Sequence, residues 1–126
     1  MSDPFRDQSA FMSACEQSVV DYNELQYAMY CNLICEEVLE LETAINTNDH
    51  TEQLDALIDI LVVTIGAIHS MGADAKGAWN EVMRTNFAKI DKETGKVRKR
   101  GDGKVLKPEG WQPPNLHQYL VKIDKL

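Results

Sequence analysis

The stretch "LICEEVLELETAI", residues 33–45, places four glutamates among apolar residues that recur at helical spacing. Each residue of an α-helix advances by about 100° around the helix axis. With Glu36 at zero, Glu40 lies at about 40° and Glu37 at about 100°, on the apolar side. Glu42, at about 240°, lies on the opposite side, where we expect a solvated residue. The stretch therefore predicts a packed helix on which Glu36, Glu37 and Glu40 point inward.

A second acidic helix follows the turn-forming residues 46–50. Asp55 and Asp59 lie one turn apart on it, and Glu52 lies on the same side. Its apolar residues cover nearly all other directions, so we expect this helix to be central and its acids to have few routes to water. Gly66 costs about 1 kcal/mol of helix propensity relative to Ala. That cost suggests that another helix or a ligand comes close at this position.

Carboxylates that converge in a core need cationic partners, because each unpaired one costs several kcal/mol or takes up a proton. Residues 1–83 contain two basic residues against fifteen acidic ones, too few for an internal ion-pair cluster. Oxygen ligands without clustered His or Cys favour Mg²⁺ or Mn²⁺ over zinc. We therefore expect a Mg²⁺ site in which Mn²⁺ can substitute. Residues 84–107, with nine basic residues against three acids, are suited to contact an anionic ligand.

The length of 126 residues and the periodicity predict a single all-α domain, with a four-helix-bundle-like core over 4–90. Residues 91–126 are predicted to form an irregular basic arm, with a short hairpin across Gly101–Gly103. The predicted caps are Asp3, Thr51 and Asp74. The predicted helices span 4–20, 23–45, 51–71 and 75–90.

The composition of 44% hydrophobic and 26% charged residues is typical of a soluble globular protein. The polar N-terminus does not resemble a signal peptide, and the longest apolar run is about half of a bilayer span. The three cysteines show no zinc-ligand spacing and are expected to be free thiols. We therefore predict a cytoplasmic protein that binds neither nucleic acid nor a membrane.

The motif Glu36-Glu37-x-x-Glu40, followed by a second acidic helix, resembles the MazG-like all-α nucleoside triphosphate pyrophosphohydrolases. This superfamily also contains phosphoribosyl-ATP pyrophosphohydrolase and dimeric dUTPases. The stretches "DALIDILVVTIGAIHSMGAD", "EVMRTNFAKI" and "GDGKVLKPEGWQPPNL" look like later segments of the family, so the resemblance covers roughly residues 30–116. EExxE alone is a weak motif, but the ordered combination is fairly specific.

The sequence departs from the family pattern ExxD on the second acidic helix. If Asp59 is the family aspartate, Ala56 stands where the glutamate is expected, and Asp55 would take its place one turn earlier. Alternatively, Glu52 and Asp55 form the pattern and Asp59 is an additional acid. We prefer Asp55 and Asp59, because the residues after Asp59 match the family better.

The resemblance implies hydrolysis of a nucleoside triphosphate at the α–β phosphoanhydride, giving a nucleoside monophosphate and pyrophosphate. The implied Mg²⁺ ligands and catalytic residues come from the two acidic helices, and Glu37, Glu40 or Asp55 would orient or deprotonate the attacking water. The metal ligands would be Glu36, Glu37, Glu40, Asp55 and Asp59.

The implied substrate contacts lie in the basic part of the chain. Asn86 and Lys89 look like an Asn and a Lys of the family that lie near the nucleotide, although a polar helix end would give the same pattern. Arg84, Lys104 and Lys107 are candidate phosphate contacts, and a solvated arm is the alternative. The family also implies a homodimer or homotetramer.

Three alternatives to a general triphosphate substrate stay open at this point. Two are enzymes of the same superfamily, a phosphoribosyl-ATP pyrophosphohydrolase and a dUTP or dUDP hydrolase. The third is a metal-binding regulatory helical bundle without catalysis, which the departure at Ala56 keeps open.

Overall fold

The computed structural model describes residues 3–120. This part of the chain is all-helical, which confirms the predicted fold class. Its two compact units comprise residues 3–75 with Leu120, and Lys76–Tyr119. The predicted single domain, with a core over 4–90 and an arm over 91–126, stays a prediction. The helices are α1 (Pro4–Ala14), α2 (Glu24–Asn46), α3 (His50–Ser70), α4 (Ala75–Phe87) and a 3₁₀ helix at His117–Leu120.

Helix α1 begins where the sequence predicts and ends earlier. The Asp3 side chain accepts a hydrogen bond from the Arg6 backbone N–H at 2.9 Å, and Pro4 occupies the first helical position. The predicted continuation to residue 20 is wrong. Glu16 adopts a left-handed conformation with φ of 61°, which turns the chain out of the helix.

Helices α2 and α3 form an antiparallel pair joined by a short turn at 47–49. Asn23 caps α2 by accepting a hydrogen bond from Gln26 N–H at 3.1 Å. Asp49, and not Thr51, caps α3, accepting from Glu52 N–H at 3.1 Å. The predicted cap was therefore two residues too late, because both residue types are good N-caps.

The two helices pack closely where Tyr30 of α2 lies on Gly66 of α3. A Cβ atom at Gly66 would lie 2.6 Å from Tyr30 Cδ1, so no larger residue fits without movement. The Tyr30 hydroxyl donates a hydrogen bond to Gln17 at 2.5 Å, which holds the ring in place. Tyr30 is buried with Met12 and Ala67, so the core of the first unit lies at this crossing. The close approach predicted at Gly66 is thus made by a helix.

Helix α3 is central along only part of its length. Its C-terminal half is buried, including Ile65 and His69. Its N-terminal half exposes large apolar side chains, with Leu54 at 62% and Ile58 at 50%. The prediction of a fully central helix is therefore wrong for the N-terminal half of α3. By length and composition alone α3 could cross a membrane, a test that the core helices of soluble proteins also pass.

The second unit contains α4 and the arm. Helix α4 ends at Phe87 and not at Ile90, because Ile90 instead forms an antiparallel bridge with Val97. A second bridge joins Lys99 to Val105, and the Arg100 N–H donates to the Lys104 carbonyl at 2.7 Å. The predicted hairpin across Gly101–Gly103 is thus present as the single Lys99–Val105 bridge. Near the end of the predicted arm, His117–Leu120 form the 3₁₀ helix, and residues 121–126 lie outside the described range.

Candidate functional site

Three of the predicted carboxylates come together on the α2–α3 pair. One oxygen each from Glu37, Glu40 and Asp59 lies within 4.8 Å of the other two. Glu37 and Asp59 are half-buried, while Glu40 is exposed. Ligand atoms around one Mg²⁺ ion lie up to about 4 Å apart, so the three side chains need only a small adjustment to share an ion. These three residues are called the carboxylate cluster below.

Glu37 is one of the two half-buried members of the carboxylate cluster. Around α2 it falls between Tyr30 and Ala44, the two buried residues of that helix. Its Oε2 atom is buried and has no hydrogen-bond partner among the described residues. Buried carboxylate oxygens are expensive without a donor or a cation. This oxygen is therefore the feature of the site that most needs a ligand.

Glu36 and Glu40 do not turn inward as predicted. Both are exposed within this chain, because they lie at the edge of the α2 stripe and not at its centre. Glu36 lies outside the carboxylate cluster, whereas Glu40 reaches it from the exposed side. Their role as metal ligands stays a prediction, as does that of the other acids.

The pKa values show that the cluster holds excess negative charge. Burial raises the pKa of Glu37, and a hydrogen bond with Glu40 and the charges of Glu40, Asp59 and Asp55 raise it further. The pKa of Asp59 is also raised, first by burial and then by Asp55 and Glu40. In both cases the neighbours that act on the group are other acids. A divalent cation would reverse this effect.

The two candidates for the glutamate position of the ExxD pattern, Asp55 and Glu52, are placed differently. Asp55 is exposed and lies outside the carboxylate cluster, but its charge acts on Glu37 and on Asp59. Glu52 is exposed and lines a cavity of about 450 Å³ together with Glu40. Both residues therefore face the region of the cluster, and the choice between them stays open.

The candidate substrate contacts all lie in the second unit. Arg84 is held by Glu81, to which its Nε donates at 2.8 Å and its Nη2 at 3.0 Å. Lys89 donates to Asn86 Oδ1 at 3.1 Å, so these two residues form a pair. Lys104 is exposed at the end of the hairpin turn. Their contact with a nucleotide stays a prediction.

Glu81 was not among the residues predicted from the sequence. This buried carboxylate also accepts a hydrogen bond from the Asn115 backbone N–H at 2.7 Å. Arg84 and then Asn115 lower the pKa of Glu81 to about 2. The spacing of three residues to Arg84 on a helix could have indicated the ion pair. The contact with Asn115 has no local signal, because 34 residues separate the partners.

Trp111 also makes its contacts within the second unit. Its indole N–H donates to the Thr85 carbonyl at 2.7 Å. The ammonium groups of Lys89 and Lys107 lie 5.2 and 4.9 Å from the centre of its ring. Trp111 thus joins the arm to α4 and gathers two cations around one aromatic side chain.

The sequence of the chain matches a family of known proteins over residues 12–86, a range that includes every acid of the predicted site. The family is described as phosphoribosyl-ATP pyrophosphohydrolase. The chain belongs to this family. It therefore falls within the MazG-like nucleotide pyrophosphohydrolase superfamily, which confirms the predicted resemblance. A search of curated proteins finds no match.

Family membership supports a hydrolase that acts on a nucleotide phosphoanhydride. The matched range contains both acidic helices together with Arg84 and Asn86, whereas Lys89, Lys104 and Lys107 follow it. The acidic pair of helices is thus the part of the site that the family and the geometry have in common.

Proposed function

We propose that the protein is a Mg²⁺-dependent nucleotide pyrophosphohydrolase that cleaves a nucleoside triphosphate to a nucleoside monophosphate and pyrophosphate. The observation that supports this proposal best is the buried Oε2 of Glu37, which has no partner among the described residues and lies in the carboxylate cluster. A structural carboxylate in such a position would be expected to have donors around it. A metal-binding carboxylate has the ion as its partner.

Glu37, Glu40 and Asp59 would hold the Mg²⁺ ion, for which Mn²⁺ can substitute, with Glu36 and Asp55 as additional ligands. When bound, the ion would neutralise charge on the phosphate oxygens and fix their position. Within residues 3–75, Arg6 is the only Lys or Arg residue, so this part of the first unit supplies little positive charge itself. A cation is therefore needed if this surface is to accept a polyphosphate.

The exposed carboxylates are suited to activate water. Glu40 and Asp55 face solvent beside the more enclosed Glu37, and one of these three would orient the water and take its proton. The water oxygen forms a bond to phosphorus as the bond to the bridging oxygen breaks. Pyrophosphate leaves with the electron pair of that bond, and the nucleoside monophosphate stays behind.

The remaining predictions complete the proposal. Arg84, Asn86, Lys89, Lys104 and Lys107 would contact the nucleotide. A homodimer or homotetramer is supported by the apolar side chains that α2 and α3 expose, including Leu39 at 62% and Leu54 at 62%. We also propose that the protein is cytoplasmic and binds neither nucleic acid nor a membrane.

Phosphoribosyl-ATP is the first alternative substrate, because the matching family carries that description. A dUTP or dUDP hydrolase is the second alternative within the superfamily. The non-enzymatic alternative is a metal-binding regulatory helical bundle, which would have the carboxylate cluster but hydrolyse no nucleotide.

The test is to measure pyrophosphate and monophosphate released from a panel of nucleoside triphosphates, dUDP and phosphoribosyl-ATP in the presence of Mg²⁺. Glu37→Gln and Asp59→Asn should each lower kcat by about three orders of magnitude, the value expected when several kcal/mol of transition-state stabilisation is lost. Glu42→Gln is the matched control, because Glu42 is an exposed glutamate on the same helix. It should change kcat by less than about twofold.

Three results would count against the proposal. Full activity in Glu37→Gln and Asp59→Asn would remove the carboxylate cluster from catalysis. Orthophosphate as the first product would place the cleavage at another bond. Turnover of no nucleotide, despite Mg²⁺ binding, would favour the regulatory bundle.

A further inference from the structure

A cavity of about 450 Å³ lies in the first unit, beside the carboxylate cluster. Its volume is within the range of small-molecule sites. It is lined by the C-terminal turns of α2 and the first turn of α3, with Leu39, Glu40, Thr43, Ala44, Thr47 and Glu52 as the lining residues. Glu40 also belongs to the carboxylate cluster, so a ligand bound at the cluster can extend into the cavity.

The two threonine hydroxyls in this lining already donate their protons to α2. Thr43 Oγ1 donates to the Leu39 carbonyl at 3.1 Å, and Thr47 Oγ1 donates to the Thr43 carbonyl at 3.0 Å. A carbonyl oxygen can only accept a hydrogen bond, so each hydroxyl must be the donor. What each threonine has left for a ligand is therefore the lone pairs of its oxygen.

The backbone N–H groups of the lining are used as well. The Thr47 N–H donates to the Thr43 carbonyl at 3.0 Å, and the Glu52 N–H donates to Asp49 Oδ1 at 3.1 Å. The other four lining residues lie inside α2, where the N–H groups donate along the helix. Among the described residues, this lining therefore offers a ligand acceptors alone, from two carboxylates and two hydroxyl oxygens.

The helices that form the cavity are joined before any ligand arrives. The Ala44 carbonyl accepts from the Asp49 N–H at 2.9 Å and from Gln53 Nε2 at 3.3 Å. These bonds tie the first turn of α3 to the end of α2. The positions of Glu52 and Thr43 are thus set by the fold, which lowers the entropy that a ligand would otherwise have to offset.

A lining of acceptors selects a ligand by its donors. Phosphate groups bring further acceptors and negative charge, which Glu40 and Glu52 disfavour. The hydroxyl groups of a sugar bring donors, and a carboxylate is the usual acceptor for a ribose hydroxyl in dinucleotide sites. The Leu39 side chain, which is 62% exposed, can pack on the C–H face of a sugar ring. The cavity thus fits a ribose better than a phosphate.

We propose that this cavity binds the ribose of the substrate and selects ribonucleotides over deoxyribonucleotides. Glu52 accepts a hydrogen bond from the 2′-hydroxyl group, and Thr43 accepts one from the neighbouring 3′-hydroxyl group. The phosphate groups lie at the carboxylate cluster, which Glu40 connects to the cavity. The choice of a nucleotide as the ligand rests on the proposed function. Glu52 is then a sugar contact and not a metal ligand.

The experiment measures binding and not turnover. Calorimetry with the full chain in Mg²⁺ compares the α,β-methylene analogues of ATP and UTP with their 2′-deoxy counterparts. A methylene group replaces the oxygen between the α- and β-phosphates, so the analogues are not cleaved there. Wild type should bind at least one ribonucleotide analogue about tenfold more tightly than its 2′-deoxy counterpart, because the deoxy sugar leaves Glu52 without its donor.

Two variants test the two sugar contacts, and both replaced residues are exposed, so the fold should be retained. Glu52→Gln should weaken binding of the ribonucleotide analogue by about tenfold and binding of the 2′-deoxy analogue by less than about twofold. Thr43→Val should weaken both by about threefold, because both sugars carry the 3′-hydroxyl group.

The matched controls are Glu42→Gln and Thr51→Val, which change an exposed glutamate of α2 and an exposed threonine of α3 outside the lining. Each should change the binding of either analogue by less than about twofold.

The proposal is overturned if no analogue binds, or if the 2′-deoxy analogues bind as tightly as the ribonucleotide analogues. An equal loss for both sugars in Glu52→Gln would also overturn it, because Glu52 would then act on the metal or on the phosphate groups. Normal binding in Glu52→Gln or in Thr43→Val, or an equal loss in Glu42→Gln and Glu52→Gln, would contradict it as well. The proposed function fails separately, if the unsubstituted protein binds the analogues but hydrolyses no nucleotide.

Discussion

Glu37 and Glu81 are glutamates on helices with limited access to solvent, yet their pKa values move in opposite directions. Glu81 accepts hydrogen bonds from Arg84 and Asn115, which lower its pKa to about 2. Glu37 has other acids around it and a buried oxygen without a partner among the described residues, and its pKa is raised. The chain itself supplies the hydrogen-bond donors of Glu81. The described residues supply no donor to the buried Oε2 of Glu37.

The difference shows how a structural carboxylate can be told from a ligand-binding one. A structural carboxylate is stabilised in its charged form by donors from the chain. A metal-binding carboxylate is kept close to like charges. Their repulsion lowers the stability of the folded protein until the ion binds.

The largest effect is expected from neutralising Glu37 in the metal-free protein. Because its pKa is raised on folding, wild-type stability falls as pH rises from the ordinary glutamate value through the raised one. Glu37→Gln has no such loss, so its free energy of unfolding should exceed that of wild type by about 1 kcal/mol at about pH 8. The two proteins should converge near pH 4. Urea denaturation in the presence of a chelator measures this difference. In excess Mg²⁺ without chelator, wild type should instead be the more stable protein.

Glu42→Gln should leave stability unchanged at both pH values. Equal stability of Glu37→Gln and wild type at pH 8 would mean that the charge of Glu37 does not destabilise the metal-free fold.

The opposite sign is expected for Glu81. Its pKa is lowered on folding, so its contribution is present above the ordinary glutamate value and is lost as pH falls through about 2. Glu81→Gln removes the charge that holds Arg84 and Asn115. The amide of Asn115 should then exchange with solvent about tenfold faster at pH 5, measured by hydrogen exchange.

Asp102→Asn is the control for this experiment, because it breaks an exposed ion pair with Arg100 in the same unit. Its Asn115 amide should exchange at the wild-type rate. Unchanged exchange in Glu81→Gln would show that Glu81 does not hold the arm.

A smaller effect is expected from Asp55→Asn. Because Asp55 raises the pKa of both Glu37 and Asp59, its neutralisation should lower both values, as followed by carbon NMR of the side-chain carboxyl groups. Glu36→Gln is the control, since Glu36 is exposed and lies outside the cluster. If both variants leave the two pKa values unchanged, Asp55 is not part of the site.

Local periodicity predicted the helices and the position of Glu37, because both depend on rotation about one helix axis. It could not predict where α1 ends, because Glu16 adopts a conformation that its residue type rarely favours. The exposure of Glu36 and Glu40 depends on how wide a stripe of α2 is covered by α3, which periodicity does not give. The bond from Asn115 to Glu81 depends on the path of the arm and has no local pattern.

The central claim is that Glu37 is the enclosed ligand of a divalent cation site. Titration with Mn²⁺, followed by loss of the free-ion signal in electron paramagnetic resonance, measures binding directly. Wild type and Glu42→Gln should bind Mn²⁺ alike, and Glu37→Gln should bind at least about tenfold more weakly. Equal affinity of Glu37→Gln and wild type would contradict the account.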